Sequence, residues 1–330
     1  MNKQMILKAL SVATSGSSIS SYLPAPLAAE VIGYIREINI LRRLVRTFNQ
    51  NARTWTKPKR AGGSSAYFIP DGTTATMSSW SSTSVQWVAK KLMSYVMIDE
   101  EAVEDSQPDV IDQILMDFAD AMAEAEELAM AQGDTTHTAT APTPDSATTS
   151  NWYVRDPRLM FKGIFTAAAD TSAGAATSVA AGNAVLGEDM VNEALYNLGK
   201  YGRNKARLAG MLPSVHAAQV RENDEFKDVS KTGLALASMI TGLGSAGEGQ
   251  GLVTAIYGIP FYEIPQGPAG TVAIINRNSP SLGDRRRIKL DNERVIESDQ
   301  RKFVTSERIS FNYDYPDALV AITGVKTTIR

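Results

Sequence analysis

Residues 53–98 constrain the fold more than any other stretch, because they read as an arm that cannot hold itself. The segment RTWTKPK alternates in character with Pro58 inside it, AYFIPDG follows, and nine of the thirteen residues from 72 to 84 are Ser or Thr. Beyond them, alternation with period two runs through Val85, Trp87 and Ala89. That pattern predicts two strand arms joined by a long, polar, glycine-containing tip. An isolated two-stranded hairpin is marginal in water unless it packs on something. Trp55, Tyr67, Phe68, Trp80 and Trp87 are also too much aromatic surface to leave wet. The economical reading is an arm that lies on another copy of the same chain. The alternative is an arm folded back onto its own domain.

The next element is a long helix. Ser106 or Gln107 serves as cap, Pro108 takes an early position and Asp109 the first turn. Ile111, Leu115, Phe118, Met122, Ala125 and Ala129 then recur at alternating spacings of four and three, which makes one apolar stripe. Gly133 ends it. Pro108 to Ala131 spans about 36 Å at 1.5 Å per residue. Asp112, Asp117, Asp120, Glu124, Glu126 and Glu127 lie mostly off the stripe and read as a solvated face.

Around these two elements the chain alternates in kind. Residues 1–22 are rich in Ser and small residues and read as a mobile arm; Lys8 interrupts their apolar run, which argues against a signal peptide. Pro24 and Pro26 open a short amphipathic helix through Leu27, Val31, Tyr34 and Ile35. Residues 134–150, with nine Ser or Thr among seventeen, form a loop, and 166–185 have no clear assignment. From Gly187 a helix runs to near Gly199, 206–212 is a buried strand, and a second helix starts at Pro213. Strands broken by Gly and Pro turns occupy 252–265 and 271–276. Further strands cover 285–297, 308–315 and 318–324. The order is an α+β pattern without βαβ repetition or internal repeats.

The chain's 330 residues suffice for one large or two modest domains. A net charge of −3 lacks the basic excess of a dedicated nucleic-acid binder. Absence of cysteine excludes disulfides, thiolate metal sites and cysteine nucleophiles. No apolar stretch approaches the length of a membrane-spanning helix.

Catalytic motifs fail on their details. Gly242, Gly244 and Gly247 match G-x-G-x-x-G, but Glu248 follows where a helix start or a Walker lysine would be needed, so Gly242, Gly244, Gly247, Gly249 and Gly251 read as a mobile loop. Ser245 lacks the glycine that a nucleophile elbow requires at Leu243. Of the two histidines, His137 falls in the low-complexity loop and His216 on a helix, and neither has a triad or zinc motif around it. Asp99, Glu100, Glu101, Glu104 and Asp105 precede a helix, where its dipole favours negative charge. Arg285, Arg286 and Arg287 read as a solvated turn or ion-pair partners. No catalytic residue, cofactor or metal site is expected.

Seven segments, taken in order, resemble the HK97-type major capsid protein family of tailed double-stranded DNA bacteriophages, over nearly the whole chain. Residues 23–48 are similar to its opening helix and first strand, and 50–88 to its extended hairpin, the E-loop. Residues 90–106 resemble its lysine-pair strand and acidic segment, and 109–134 its spine helix ending in Gly-Asp. Residues 193–225 are similar to the helix, strand and helix of the axial domain, 256–268 to its Gly-x-Pro strand, and 308–324 to its closing strands.

The resemblance implies an N-terminal arm and short helix (1–49) and an E-loop (50–88). It further implies a peripheral domain with spine helix and Thr-rich insertion (89–185), an axial domain (186–304), and C-terminal strands returning to the peripheral domain (305–330). It implies hexamers and pentamers that tile an icosahedral shell around double-stranded DNA, in a virion assembled in the host cytoplasm. Expected partners are a portal and possible scaffolding and decoration proteins, with only weak, non-specific DNA contact and no membrane. Trp55, Lys57, Lys59, Tyr67, Phe68, Trp80 and Trp87 are the expected inter-subunit contacts of the E-loop. The glycine loop would sit near the capsomer axis, and Ile111, Leu115, Phe118 and Met122 would form the spine's core stripe. The chain departs from relatives that carry a scaffolding region ahead of the arm, and its 134–150 insertion looks longer than usual. Lys57 and Lys59 have no matching Asn or carboxylate, so no cross-link is expected. An encapsulin-like compartment is the alternative with the same fold, and a soluble carboxylate hydrolase the distant one.

Overall fold

Two sheets and one projecting hairpin organise the chain; the computed structural model describes residues 40–74, 76–101, 110–134, 156–223 and 251–328. The expected helix at 27–35, the cap at 106–109, most of the Thr-rich insertion, His137 and residues 242–250 of the glycine loop lie outside them.

The described chain starts with a short helix α1 (Leu41–Leu44) and strand β1 (Arg46–Asn49). Strands β2 (Thr54–Arg60), β3 (Ser82–Val88) and β4 (Lys90–Asp99) follow, then the long helix α2 (Val110–Gln132). Next come α3 (Ile164–Ala169), β5 (Val179–Ala180), α4 (Glu188–Asn197), β6 (Leu208–Leu212) and α5 (Ser214–Glu222). The remaining strands are β7 (Leu252–Ile256), β8 (Ile259–Glu263), β9 (Thr271–Asn276), β10 (Pro280–Val295), β11 (Gln300–Tyr313) and β12 (Leu319–Thr323).

The six-stranded sheet has the order β5-β12-β9-β6-β8-β7 and is buried on both faces. Alternate residues show why. Val272 and Ile274 of β9 and Val320 and Ile322 of β12 pack with α4 and α5, while Ala273, Ile275, Leu319 and Ala321 pack with α3 and the end of α2. Strands covered on both faces read as continuous apolar runs, which is why LAGML and TVAIIN stand out in the sequence. The β7–β8 link is a two-residue turn in which Tyr257 (φ 51°) and Gly258 (φ 80°) both take positive φ, the geometry that matches strand twist.

The four-stranded sheet has the order β1-β10-β11-β4, and its long β10–β11 hairpin runs from the Pro280–Tyr313 pair to Val295–Gln300. Strand β10 belongs to the four-stranded sheet, and β12 pairs with β9 inside the six-stranded sheet. The arginine run is no solvated turn. It sits where β10 is bulged between Asp284 and Lys289, and there Arg285 donates to the Asn51 carbonyl and Arg286 to the Ser306 hydroxyl.

Candidate assembly surfaces

The hairpin at 54–88 divides into an anchored base and a bare tip. Strands β2 and β3 pair from Thr54–Val88 to Arg60–Ser82, as the alternation implies. At the base Trp87 has no exposed surface, and Trp55 stacks on Phe48 at 4.4 Å and on Trp87 at 5.8 Å between ring centroids. Lys57 reaches over the Trp87 ring and ion-pairs with Asp314 at 2.8 Å, Lys59 lies over the Tyr315 ring, and Asn312 donates to the Gln86 carbonyl. Beneath them Gln50 is a knot. Its amide donates to the carbonyls of Ala52, Arg53 and Trp87, and its carbonyl accepts from the Ser310 hydroxyl at 2.5 Å.

The residues at the base are held within their own chain. Trp87 has no exposed surface there. Lys57 and Lys59 are engaged by β11's end and the turn after it, and Trp55 is largely committed to Phe48 and Trp87. Within the chain, the base of the arm packs on β1, β11 and the turn after it.

The tip is different. Tyr67 (53% exposed), Phe68 (fully exposed), Met77 (92%) and Trp80 (69%) all present large apolar surface to solvent. What orders the tip is a few polar bonds: Ala61 and Gly62 N–H to the Ser81 carbonyl, Ser65 N–H to the Ser78 hydroxyl, Thr73 N–H to the Pro70 carbonyl. Large apolar side chains without any covering core mark a surface built to be covered.

A second apolar strip runs along β4, the edge strand of the four-stranded sheet. Its residues alternate. Leu92, Val96 and Ile98 are half-buried, while Met93, Tyr95 and Met97 are exposed on the other face. The half-covered face is the α2 side, since Glu307, the partner of Leu92, lines a groove with Met122 and Glu126 of that helix.

Along α2, Phe118 and Met122 are buried as the stripe requires and Leu115 is half-buried; the side chain of Ile111 lies outside the described residues. The acidic face is not wholly solvated. Glu126 and Glu127 are 4% and 2% exposed. Glu126 takes two bonds from Arg42, at 2.7 and 2.8 Å, and Glu127 accepts from the Ile40 N–H at 3.3 Å. The signal was present: Glu126 stands four residues after Met122, on the stripe itself.

Of the glycine loop only Gly251 is described, and its carbonyl accepts from the Glu263 N–H at 2.6 Å. His216 is fully buried, with one ring nitrogen bonded to Gln219 and the other accepting from the Gly270 N–H, a structural role. Glu100 pairs with Arg301 at 2.7 Å and Asp99 accepts from Gln300. Among the described residues no group of three His, Asp or Glu is arranged to hold a metal ion, and no helix is long and apolar enough to cross a membrane.

A family model described as the Phage capsid family matches residues 21–324. No curated protein matches the chain. Solved structures do. A chain from the capsid of a native GTA particle is 19% identical with a TM-score of 0.66, covering 94% of this chain and 99% of its own. A chain of Microbacterium phage Oxtober96 is 14% identical with a TM-score of 0.63, covering 93% of this chain and 99% of its own. A chain from the capsid of the cyanophage P-SCSP1u is 13% identical with a TM-score of 0.58, covering 94% and 95%.

Proposed function

Since the chain belongs to the phage capsid family, we propose that it is a major capsid protein whose copies assemble as hexamers and pentamers into an icosahedral shell around double-stranded DNA. The observation that carries the mechanism is the contrast within the hairpin. A rigid base, locked by Trp87, Gln50 and the Lys57–Asp314 pair, projects a tip whose Phe68, Met77 and Trp80 are bare. Covering such side chains on an adjacent copy contributes roughly 1.5–3 kcal/mol each. The base supplies direction and the tip supplies adhesion. The exposed Met93, Tyr95 and Met97 of β4 offer a matching apolar landing strip on the next copy.

The chain's role is structural, and the slight negative charge of −3 suits an inner wall that does not grip the packaged DNA. Portal, scaffolding and decoration proteins are the expected additional partners, with assembly in the host cytoplasm and residence in the virion. Electron microscopy of the purified protein, alone and with a candidate scaffold, tests the reading. Closed shells of capsomers are the expected result, and monomers or dimers under every salt and scaffold condition would overturn it. Shells that enclose protein cargo in place of DNA would move the assignment to an encapsulin-like compartment.

A further inference from the structure

Helices α1 and α2 and strands β10 and β11 bring three arginines, Arg42, Arg43 and Arg287, and three carboxylates together around a groove of about 690 Å³. Arg42 spends one guanidinium nitrogen on both oxygens of Glu126 and the other on Oδ2 of Asp284 at 2.6 Å. None of these bonds goes to the third acid, Glu307. Glu307 is 3% exposed and its Oε1 is buried without a hydrogen-bond partner, as is Oδ1 of Asp284. The other charges nearby are spent or at the margin. Arg286 donates to Ser306, Arg43 and Arg287 line the groove at its solvent side, and β4 places only Leu92 opposite Glu307.

An ionised Glu307 in that setting is opposed twice, by loss of water and by its neighbours' negative charge. A protonated Glu307 is not, and its O–H adds a donor to a groove whose other orphan is an acceptor. We propose that Glu307 is the proton-binding element of a pH-operated clasp between α2 and the β10–β11 hairpin, tight when the carboxyl is protonated and loosened when it ionises. Burial first, then the charge of Glu126, pushes the Glu307 carboxyl up to about 7, with Asp284 adding to the effect and Arg42 opposing it. Burial also pushes Glu126 up despite its arginine.

The sign follows from linkage. A carboxyl whose folded pKa is raised binds its proton more tightly in the folded state. Its contribution is full below the ordinary glutamate range and is lost as pH rises through about 7. The window is therefore pH 5–8, above the range in which ordinary paired carboxylates titrate. The proposal rests on residues of a single chain and does not require the shell.

Hydrogen exchange read by mass spectrometry on the full-length protein at pH 6 and pH 8 tests it, with labelling times scaled for the intrinsic rate. Peptides from α2 and from β10–β11 report the clasp, and peptides from β6 and β9 serve as the internal reference. The expected result is about tenfold weaker protection of the clasp peptides at pH 8 than at pH 6. In Glu307→Gln, which keeps the shape without the charge, protection should be equal at the two pH values. Clasp peptides of the parent that keep pace with the reference would overturn the proposal, as would a pH difference that survives in Glu307→Gln. Where the variant does not fold, the parent comparison decides alone.

Discussion

The Gly163 N–H donates to the Gly133 carbonyl at 2.6 Å, so the end of α2 and the start of α3 meet through bare backbone. A Cβ on Gly133 would overlap the carbonyl oxygens of Phe161 and Ala129, and one on Gly163 the Gly133 nitrogen and the Ala131 carbonyl. These atoms cannot retreat, because Ala129, Met130 and Ala131 are fully buried beside them. Gly163→Ala should therefore cost about 1–3 kcal/mol, the usual penalty of overpacking a close-packed site. Urea unfolding of parent and variant measures it, and an unchanged midpoint would show that the joint can open.

Gln50 ties four partners together at the root of the hairpin. Gln50→Ala leaves the Ser310 hydroxyl, which is fully buried, and three carbonyls to find new partners. The expected loss is about 1–3 kcal/mol for buried polar groups left unmade. The hairpin should also loosen at its root, so limited proteolysis should cut within 61–81 faster in the variant. Cutting at the parental rate would mean that Trp87 and the Lys57–Asp314 pair suffice as anchor.

Removing Arg42 strands two acids at once, Glu126 and Asp284, whose side chains are 6% and 10% exposed. Arg42 itself keeps 35% of its side chain in solvent, so the penalty falls below that of a fully buried pair. About 2–3 kcal/mol at neutral pH is the expected cost of Arg42→Ala. The loss should shrink as pH falls, because burial already pushes the Glu126 carboxyl up and it takes up a proton once stranded. Thermal unfolding of parent and variant at pH 5 and pH 8 tests both statements.

How much of this was legible depends on where each residue's partner lies along the chain. Strand β6 and the β7–β8 hairpin show in the sequence because their evidence is local: unbroken apolar runs, then Tyr257-Gly258 or Pro213 as punctuation. Glu126 reads as solvated because its partners are remote, Arg42 being 84 residues before it in the sequence. Trp87 and Trp80 look alike for the same reason. Both stand in a polar, strand-forming context, and only Phe48, Gln50 and Asp314, all distant in sequence or across a turn, decide that the first is sealed and the second bare. Strand β10 follows β9 after a three-residue turn, and nothing within either strand says that the chain has changed sheets.

The division of the hairpin into base and tip makes the assembly reading testable with single substitutions. Trp87 has no exposed surface and belongs to the subunit's own core. Trp87→Ala should therefore cost about 3–5 kcal/mol of subunit stability, and any loss of shells would follow from that. Phe68 is fully exposed and Trp80 69% exposed, so both add little burial to the isolated fold, and Phe68→Ser with Trp80→Ser should leave the far-ultraviolet circular dichroism and the subunit melting temperature nearly unchanged. If adjacent copies cover the tip, the double variant loses roughly 3–6 kcal/mol of burial per subunit, summed over two aromatic side chains. Every interface of the shell would carry that loss, so particle yield should fall steeply while the subunit stays soluble. Melting temperature and particle yield measured on the same samples separate the two cases. A double variant that melts early would place the tip on its own subunit. One that assembles as well as the parent would remove Phe68 and Trp80 from the interface and leave the β4 strip as the surface to examine.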